Sequence, residues 1–357
     1  VEFTGTTNAA PDRRDWARRW FDPWYDVLAA GEAVGRDDPS TWRRGELRAA
    51  LERGSTEQLR HHVLALEHGE PVAVAEVELY LRDNTHVAWV NVVVHPAHRR
   101  RGVGTALLSH ALDVVAAAGR TSVRVSVDRP AAVDETRWPG SVAARRRGFI
   151  RGQLAARRQL PLPVPPTRLA ALESDARAHA AGYAVRSWAG PVPEEDLEAL
   201  ARLNARMSTD VPRDDLTVEP EVWDGARVRE VEAERAAQGR RQWVAVAADG
   251  GGQLVAYTVL VVSDDEPERL IQLDTLVVAE HRGHRLGTLV KLECLRRAVA
   301  DHPAAQRVST WNAVSNAPMV AVNEAMGFVL DEFIEELEAP LAAVRRTLPD
   351  QTLRSRT

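Results

Sequence analysis

One stretch occurs twice in this chain. VNVVVHPAHRRRGVGTALL covers residues 90–108, and LDTLVVAEHRGHRLGTLVK covers residues 273–291. Aligned without a gap, Arg99 falls on Arg282, Gly104 on Gly287 and Thr105 on Thr288, an offset of 183 residues. That period is too long for a solenoid repeat and suits two domains in tandem. A chain of 357 residues has room for both, each with its own core.

Each copy reads as strand, turn, helix. Val92–Val94 and Thr275–Val278 are β-branched runs of the buried-strand type. A basic, glycine-containing turn follows. Then Val103, Leu107, Leu108, Ala111, Leu112 and Val115 recur at helical spacing. Glycine lets the backbone turn tightly, so that N–H groups at the helix start converge on one anion, and arginines add charge beside it. The pattern predicts a pyrophosphate seat. It lacks the Lys-Ser/Thr ending of a nucleotide-triphosphate loop. It also lacks the GxGxxG spacing and acidic ribose ligand of a dinucleotide site.

Composition narrows the class. Hydrophobic residues make up 45% and charged residues 27%, as in soluble globular proteins. A net charge of −5 argues against a nucleic-acid partner and suits a cationic or amine substrate. The single cysteine, Cys294, excludes a disulfide framework and sits in an apolar helical pattern. No apolar run has membrane-spanning length and no secretory leader pattern is visible, so the expected compartment is the cytoplasm. Basic charge is almost all arginine, Lys291 being the one lysine. The histidines show no metal-ligand spacing, so no metal is expected.

The order of elements repeats with the motif. Two strands flank His68-Gly69-Glu70, a third leads into the first turn, and strand, short helix, Gly148-Phe149 and a last strand follow to about residue 160. The second half repeats this from Tyr183 to the strand after Gly327-Phe328. Between them lies Pro161-Leu-Pro-Val-Pro-Pro166, a proline-dense linker, then a helical stretch to residue 181. The expected division is a first domain over 1–160, a linker and bridging helix over 161–181, and a second domain over 182–357. The expected fold is α/β, with two mixed, mostly antiparallel sheets flanked by helices.

The Arg99-x-x-Gly102-x-Gly104 turn and this element order resemble the GNAT acetyltransferase superfamily. The second half, with HisArgGlyHisArgLeuGly and ThrTrpAsnAlaValSerAsnAlaProMet, is similar to actinobacterial tandem GNAT proteins and more distantly to mycothiol synthases. The resemblance implies acetyl-CoA as co-substrate. Its pantetheine arm would run along Val92, Val93 and Val94, or along Thr275, Leu276 and Val277. Its pyrophosphate would rest on Arg99, Arg100, Arg101, Gly102, Val103, Gly104 and Thr105, or on Arg282, Gly283, His284, Arg285, Leu286, Gly287 and Thr288. The family's Asn-x6-Tyr-x3-Gly-Phe pattern places Asn316 near coenzyme A and Asn323 where a tyrosine would protonate the thiolate. The first half has Arg137 and Ala144 at those positions, so neither half carries the usual acid. Arg285 stands where the first turn has Gly102, and must adopt that position's φ.

Direct attack by an amine needs a base. Asp274, eight residues before Arg282, is the carboxylate placed for it, while Asn91 holds the matching position in the first half. A structural pairing of Asp274 with an arginine is the competing reading. Glu76 and Glu78 share one strand face, and Trp16, Trp20, Trp24 or Trp223 are candidates to line an acceptor cleft. The function expected is transfer of an acetyl group to a primary amine of a small molecule, by a monomer or homodimer. Transfer of a longer acyl or aminoacyl group, acetylation of a protein, and acyl-CoA binding without catalysis are the alternatives.

Overall fold

A computed structural model gives the structure of residues 1–349, so the last residues of the expected second domain, 350–357, lie outside the described residues. The chain opens on β1 (Glu2–Thr7), then α1 (Arg13–Trp16), a π-helical turn (Ala17–Phe21) and α2 (Asp22–Glu32). Pro23 sits in the first turn of α2, where a missing N–H costs nothing, and the break expected around it takes the form of the π turn. Helix α3 (Arg44–Arg53), β2 (Gln58–Glu67), β3 (Glu70–Tyr80) and β4 (Val87–Val94) follow. The first basic turn then leads into α4 (Val103–Ala117), β5 (Ser122–Pro130) and α5 (Pro139–Arg146).

Next come β6 (Ile150–Pro161), α6 (Pro166–His179), β7 (Ala184–Ala189), α7 (Leu197–Asp210) and α8 (Gly225–Ala237). They precede β8 (Arg240–Ala248), β9 (Leu254–Ser263) and β10 (Glu266–Val277). The second basic turn opens α9 (Leu286–Asp301), and β11 (Arg307–Ala313), α10 (Ala317–Met326), β12 (Val329–Pro340) and α11 (Leu341–Arg346) end the fold.

These elements form two compact units that do not follow the sequential division. One holds Val1–Gln153 with residues 334–349, and the other holds Leu154–Phe333. The halves exchange their last strands. In the second unit β6 pairs antiparallel with β11, from Arg307 opposite Pro161 to Ala313 opposite Ala155. Pro161 therefore ends a ladder instead of starting a linker. Cutting the chain at the prolines would strip β6 from β11. In the first unit β12 lies beside β5. Its Glu335 is fully buried and accepts from Ser141 Oγ at 2.5 Å, Arg145 Nη2 at 2.6 Å and Arg129 Nε at 3.3 Å. A carboxylate so enclosed is tolerated only because cations and a hydroxyl meet it, and those partners fix the strand's place.

The first unit's strands run in the order β1-β2-β3-β4-β5-β12, and the second's β6-β11-β10-β9-β8-β7. β1 to β4 and β7 to β10 are antiparallel meanders, while β4–β5 and β10–β11 are parallel. Helices cover both faces of each sheet. In the first unit Leu107, Ala111, Leu112 and Val115 of α4 pack in one cluster, and Trp16, Phe21, Trp24 and Leu28 in another. In the second, every residue of β9 is buried, as expected of a strand covered on both sides. Among the described residues no helix is long and apolar enough to cross a membrane.

Candidate functional site

The two turns share one backbone form. Left-handed φ occurs at Arg100 (65°) and Gly102 (88°) in the first, and at Gly283 (88°) and Arg285 (53°) in the second. These are the same two positions with glycine and arginine exchanged. Arg285 thus accepts the φ that the first turn gives to glycine, at a cost on the order of 1 kcal/mol. Gly102 and Arg285 cap α4 and α9, whose first N–H groups have no partner within their helices. Alternating right- and left-handed residues before a helix start make a concave row of donors suited to phosphate.

The leading arginines do not face that concavity. Arg99 donates to the carbonyls of Val94 (3.2 Å) and Gly31 (3.0 Å). Arg282 donates to those of Val277 (3.3 Å) and Asp210 (2.7 Å). Each ties its turn to the strand before it and to the end of a helix, α2 or α7. These two residues, expected to hold pyrophosphate, are turn struts. Gly31 allows the close approach, since a Cβ there would lie 2.1 Å from Val93 Cγ1. Val103 and Leu286 bury their side chains and leave only backbone N–H groups to a ligand.

Among the turn residues, Arg100, Arg101 and Gly102 are exposed, and a Cβ on Gly102 would meet nothing within 4 Å. Thr105 accepts from Arg147 Nη2 at 2.9 Å, which brings a further cation beside the first seat. The second seat is more engaged. Arg285 pairs with Asp175 (3.0 Å), and His284 Nδ1 lies 3.1 Å from the His179 carbonyl, both on α6. His281 Nδ1 lies 2.9 Å from the Tyr183 hydroxyl. Gly287 is buried without strain; a Cβ there would meet only Val277 Cγ2, at 3.6 Å. Thr288 is buried next to it.

The strands before the turns splay from their parallel neighbours. β4 pairs with β5 only over Val87–Trp89, and β10 with β11 only over Arg269–Gln272. Val92, Val93 and Val94 pair with β3, and Thr275, Leu276 and Val277 with β9, so the backbone edge on the other side is left open. An extended chain can add there by strand-like hydrogen bonds.

The units differ at the base position. The β3–β4 ladder is regular, with Asn91 opposite Glu76. The β9–β10 ladder has a register shift between Gln272 and Thr275, a bulge that contains Asp274. Thr258 Oγ1 donates to the Asp274 carbonyl (3.1 Å), and Gln272 Nε2 donates to the Val259 carbonyl (2.7 Å), so the backbone groups freed by the bulge are met. Bulges re-aim side chains, and this one sets Asp274 at a cleft whose empty space, open solvent included, is roughly 400 Å³. Its walls come from α7 (Leu200, Asn204), α8 (Val228, Arg235), β8 (Val244) and β9 (Tyr257).

Asp274 is exposed to solvent and also lines this cavity, at its open side. Burial pushes its pKa above the ordinary aspartate value, against the pull of Arg235 and Arg213 and with a further push from Glu221. Among the described residues no ion pair or side-chain hydrogen bond holds its carboxylate. The Tyr257 hydroxyl lines the same cavity, buried and without a hydrogen-bond partner among the described residues, and burial holds it protonated well above its usual range. Trp223 lines this cavity too, whereas Trp16 and Trp24 are core residues of the first unit.

Asn323 is placed otherwise than expected. Asn323 is fully buried, accepts from Lys291 Nζ at 2.6 Å and donates to Asn312 Oδ1 at 2.5 Å. With both ends of its amide spent, it presents nothing to a thioester. Asn316 caps α10, its Oδ1 accepting from Met319 N–H at 3.3 Å. In the first unit Glu76 and Glu78 lie beside His62 and Arg60; burial raises both carboxyls and lowers His62 to about 3.

Lys291 is buried, and desolvation lowers its pKa from 10.5 to about 7. Its ammonium therefore costs stability in full below that value, and the cost fades as pH rises to the unfolded pKa. In the window between, stability should climb by up to about 1.4 kcal/mol per pH unit. Denaturation curves of wild type and Lys291→Met from pH 7 to 10 should converge by this slope. A constant difference would mean that the lysine is not depressed.

The family model for the acetyltransferase (GNAT) family matches residues 15–134 and 209–328, and the chain belongs to that family, with two copies in tandem. A mycothiol acetyltransferase of Sanguibacter keddieii is 31% identical over 215 residues, which cover 59% of this chain and 61% of that relative's length. A solved tandem GNAT protein from the clavulanic acid biosynthesis pathway, 26% identical, superposes with a TM-score of 0.73 over 95% of this chain and 99% of its own. A GCN5-related N-acetyltransferase from Sphaerobacter thermophilus shares the fold at 16% identity, with a TM-score of 0.62 over 95% of this chain and 96% of its own.

Proposed function

We propose that this chain moves an acetyl group from acetyl-CoA to the primary amine of a small molecule, and that the second unit does the chemistry. The observation that carries this reading is Asp274. It is an unpaired carboxylate, raised in pKa, in a cavity next to the open edge of β10 that leads to the α9 turn. Acetyl-CoA would lie with its pyrophosphate on the N–H groups at the start of α9 and its pantetheine along Thr275–Val277. Backbone N–H groups of that edge would polarise the thioester carbonyl. The acceptor ammonium would give a proton to Asp274, and the free amine would attack the carbonyl carbon. The tetrahedral adduct would collapse to the amide and the thiolate, which takes a proton from water or from the nitrogen.

The first unit has the open seat and no carboxylate at the Asn91 position. Its role in this reading is to bind acyl-CoA without turnover. The test is release of free thiol from acetyl-CoA against a panel of small amines, with the N-acetyl product identified by mass. Amine-dependent release supports the reading. Tight acetyl-CoA binding with no release for any amine would make the protein a binder.

A further inference from the structure

The acceptor cavity carries a second charge that the chemistry above does not use. Arg235, on α8, lines the same wall as Asp274 and Tyr257. Its guanidinium has one hydrogen bond, from Nη1 to Gln242 Oε1 at 3.1 Å, and forms no ion pair with any described residue. That bond is fixed from behind. Gln242 Nε2 donates to Glu232 Oε1 (2.9 Å) and to the Gly190 carbonyl (3.1 Å), which turns its amide oxygen toward Arg235. Glu232 is itself held by the Val192 N–H and by Arg229, each at 2.8 Å. The chain Glu232–Gln242–Arg235 therefore aims a guanidinium whose remaining donors are free.

Arg235 is half-buried, and a guanidinium in such a wall with no ion pair is open to an anion that a ligand brings. Here an unpaired cation, an unpaired carboxylate and an unpaired buried hydroxyl face one cavity. The rest of the wall is mixed, with Leu200, Trp223, Val228, Val231, Val244 and Val259 apolar, and Asn204, Gln242 and the Arg229-paired Glu232 polar. Asp274 and Arg235 lie near enough for each to shift the other's protonation without touching. This is the complement of a small zwitterion whose ammonium and carboxylate are a bond or two apart.

We propose that the acceptor is a free α-amino acid with an apolar side chain. This rests on the reading of the second unit as the acetylating one. The α-ammonium meets Asp274, the α-carboxylate takes the free donors of Arg235 and the Tyr257 O–H, and the side chain packs on the valine and leucine wall. Glu232 and Gln242 are positioning residues for the arginine.

Isothermal calorimetry on the full chain, with acetyl-CoA absent, tests this with four matched ligands: leucine, leucinamide, isopentylamine and 4-methylpentanoate. Valine and phenylalanine with their amides extend the set to smaller and larger side chains. The free amino acid of at least one set should bind at least tenfold more tightly than its amide and its decarboxylated amine. Arg235→Gln should erase that preference, bringing the amino acid and its amide to equal affinity. Equal binding of amino acid and amide by wild type overturns the proposal, as does failure of every amino acid to bind. The ligand series needs no variant, so a misfolded Arg235→Gln protein would not shield it. Thiol release with the same ligands separates the two readings. Amino-acid binding without thiol release rejects acetyl transfer and keeps the zwitterion site. Thiol release with no preference for the carboxylate does the reverse.

Discussion

Asp274→Asn should lower the rate of amine-dependent thiol release by roughly 10²–10⁴, with little change in acetyl-CoA affinity. The substitution keeps the shape of the side chain on the β10 bulge and removes only the base. Because burial raises the Asp274 pKa, wild-type kcat/KM should fall on the acid side at a pH above the ordinary aspartate value of 3.8. Arg235 and Arg213 oppose that shift and Glu221 reinforces it, so Arg213→Gln should move the limb further up. The sign for stability is the reverse of that for activity. A carboxyl raised in the folded state favours folding while it is protonated, and that contribution is lost as pH rises through the folded pKa. Asp274→Asn should therefore be the more stable protein at pH 7 and should lose its advantage as pH falls toward 3.8. Near-normal turnover in this variant would hand the proton to water and leave the cavity without a catalytic role.

Gly287→Asp should abolish turnover in a protein that still folds. A Cβ at that position meets only Val277 Cγ2, at 3.6 Å, and its φ is not left-handed. A carboxylate in the first turn of α9 suits the helix dipole, which offsets part of the desolvation cost at this buried position, and circular dichroism checks that the variant is folded. The same carboxylate would occupy the place of the pyrophosphate and repel it. Gly102→Asp tests the other seat less cleanly, because residue 102 has a φ of 88° and any side chain there is strained. It should remove acyl-CoA binding from the first unit and leave most of the thiol release. Measured side by side, a dead Gly102→Asp and an active Gly287→Asp protein would assign the chemistry to the first unit.

The repeat made the fold legible because a β-branched run, a basic glycine turn and a helical stripe are all local in sequence. The exchange of last strands was not legible. Pro161-Leu-Pro-Val-Pro-Pro166 looks like a domain boundary, yet β6 ahead of it belongs to the ladder of β11, and only the pairing of Pro161 with Arg307 reveals this. The turns were located by sequence, but the direction of Arg99 and Arg282 was not, because backbone carbonyls that attract a guanidinium leave no mark in the residue pattern. Asp274 stands out in the sequence by its place before the turn. Tyr257, Arg235 and Gln242, which line the same cavity, do not stand out, since each sits on a strand or helix where an ordinary core or surface role reads the same. The bulge that aims Asp274 is likewise a matter of register. Asn323 was misjudged because family position alone suggested a role that its burial against Lys291 excludes.

A crystal structure of the chain with acetyl-CoA addresses the central claim most directly. The account predicts coenzyme A on the second turn, with Arg285 released from Asp175, pantetheine paired with Thr275–Val277, and the acetyl group at the mouth of the Asp274 cavity. Density for acetyl-CoA on the first turn alone, with Asp175 and His179 still seated on the second, would contradict it.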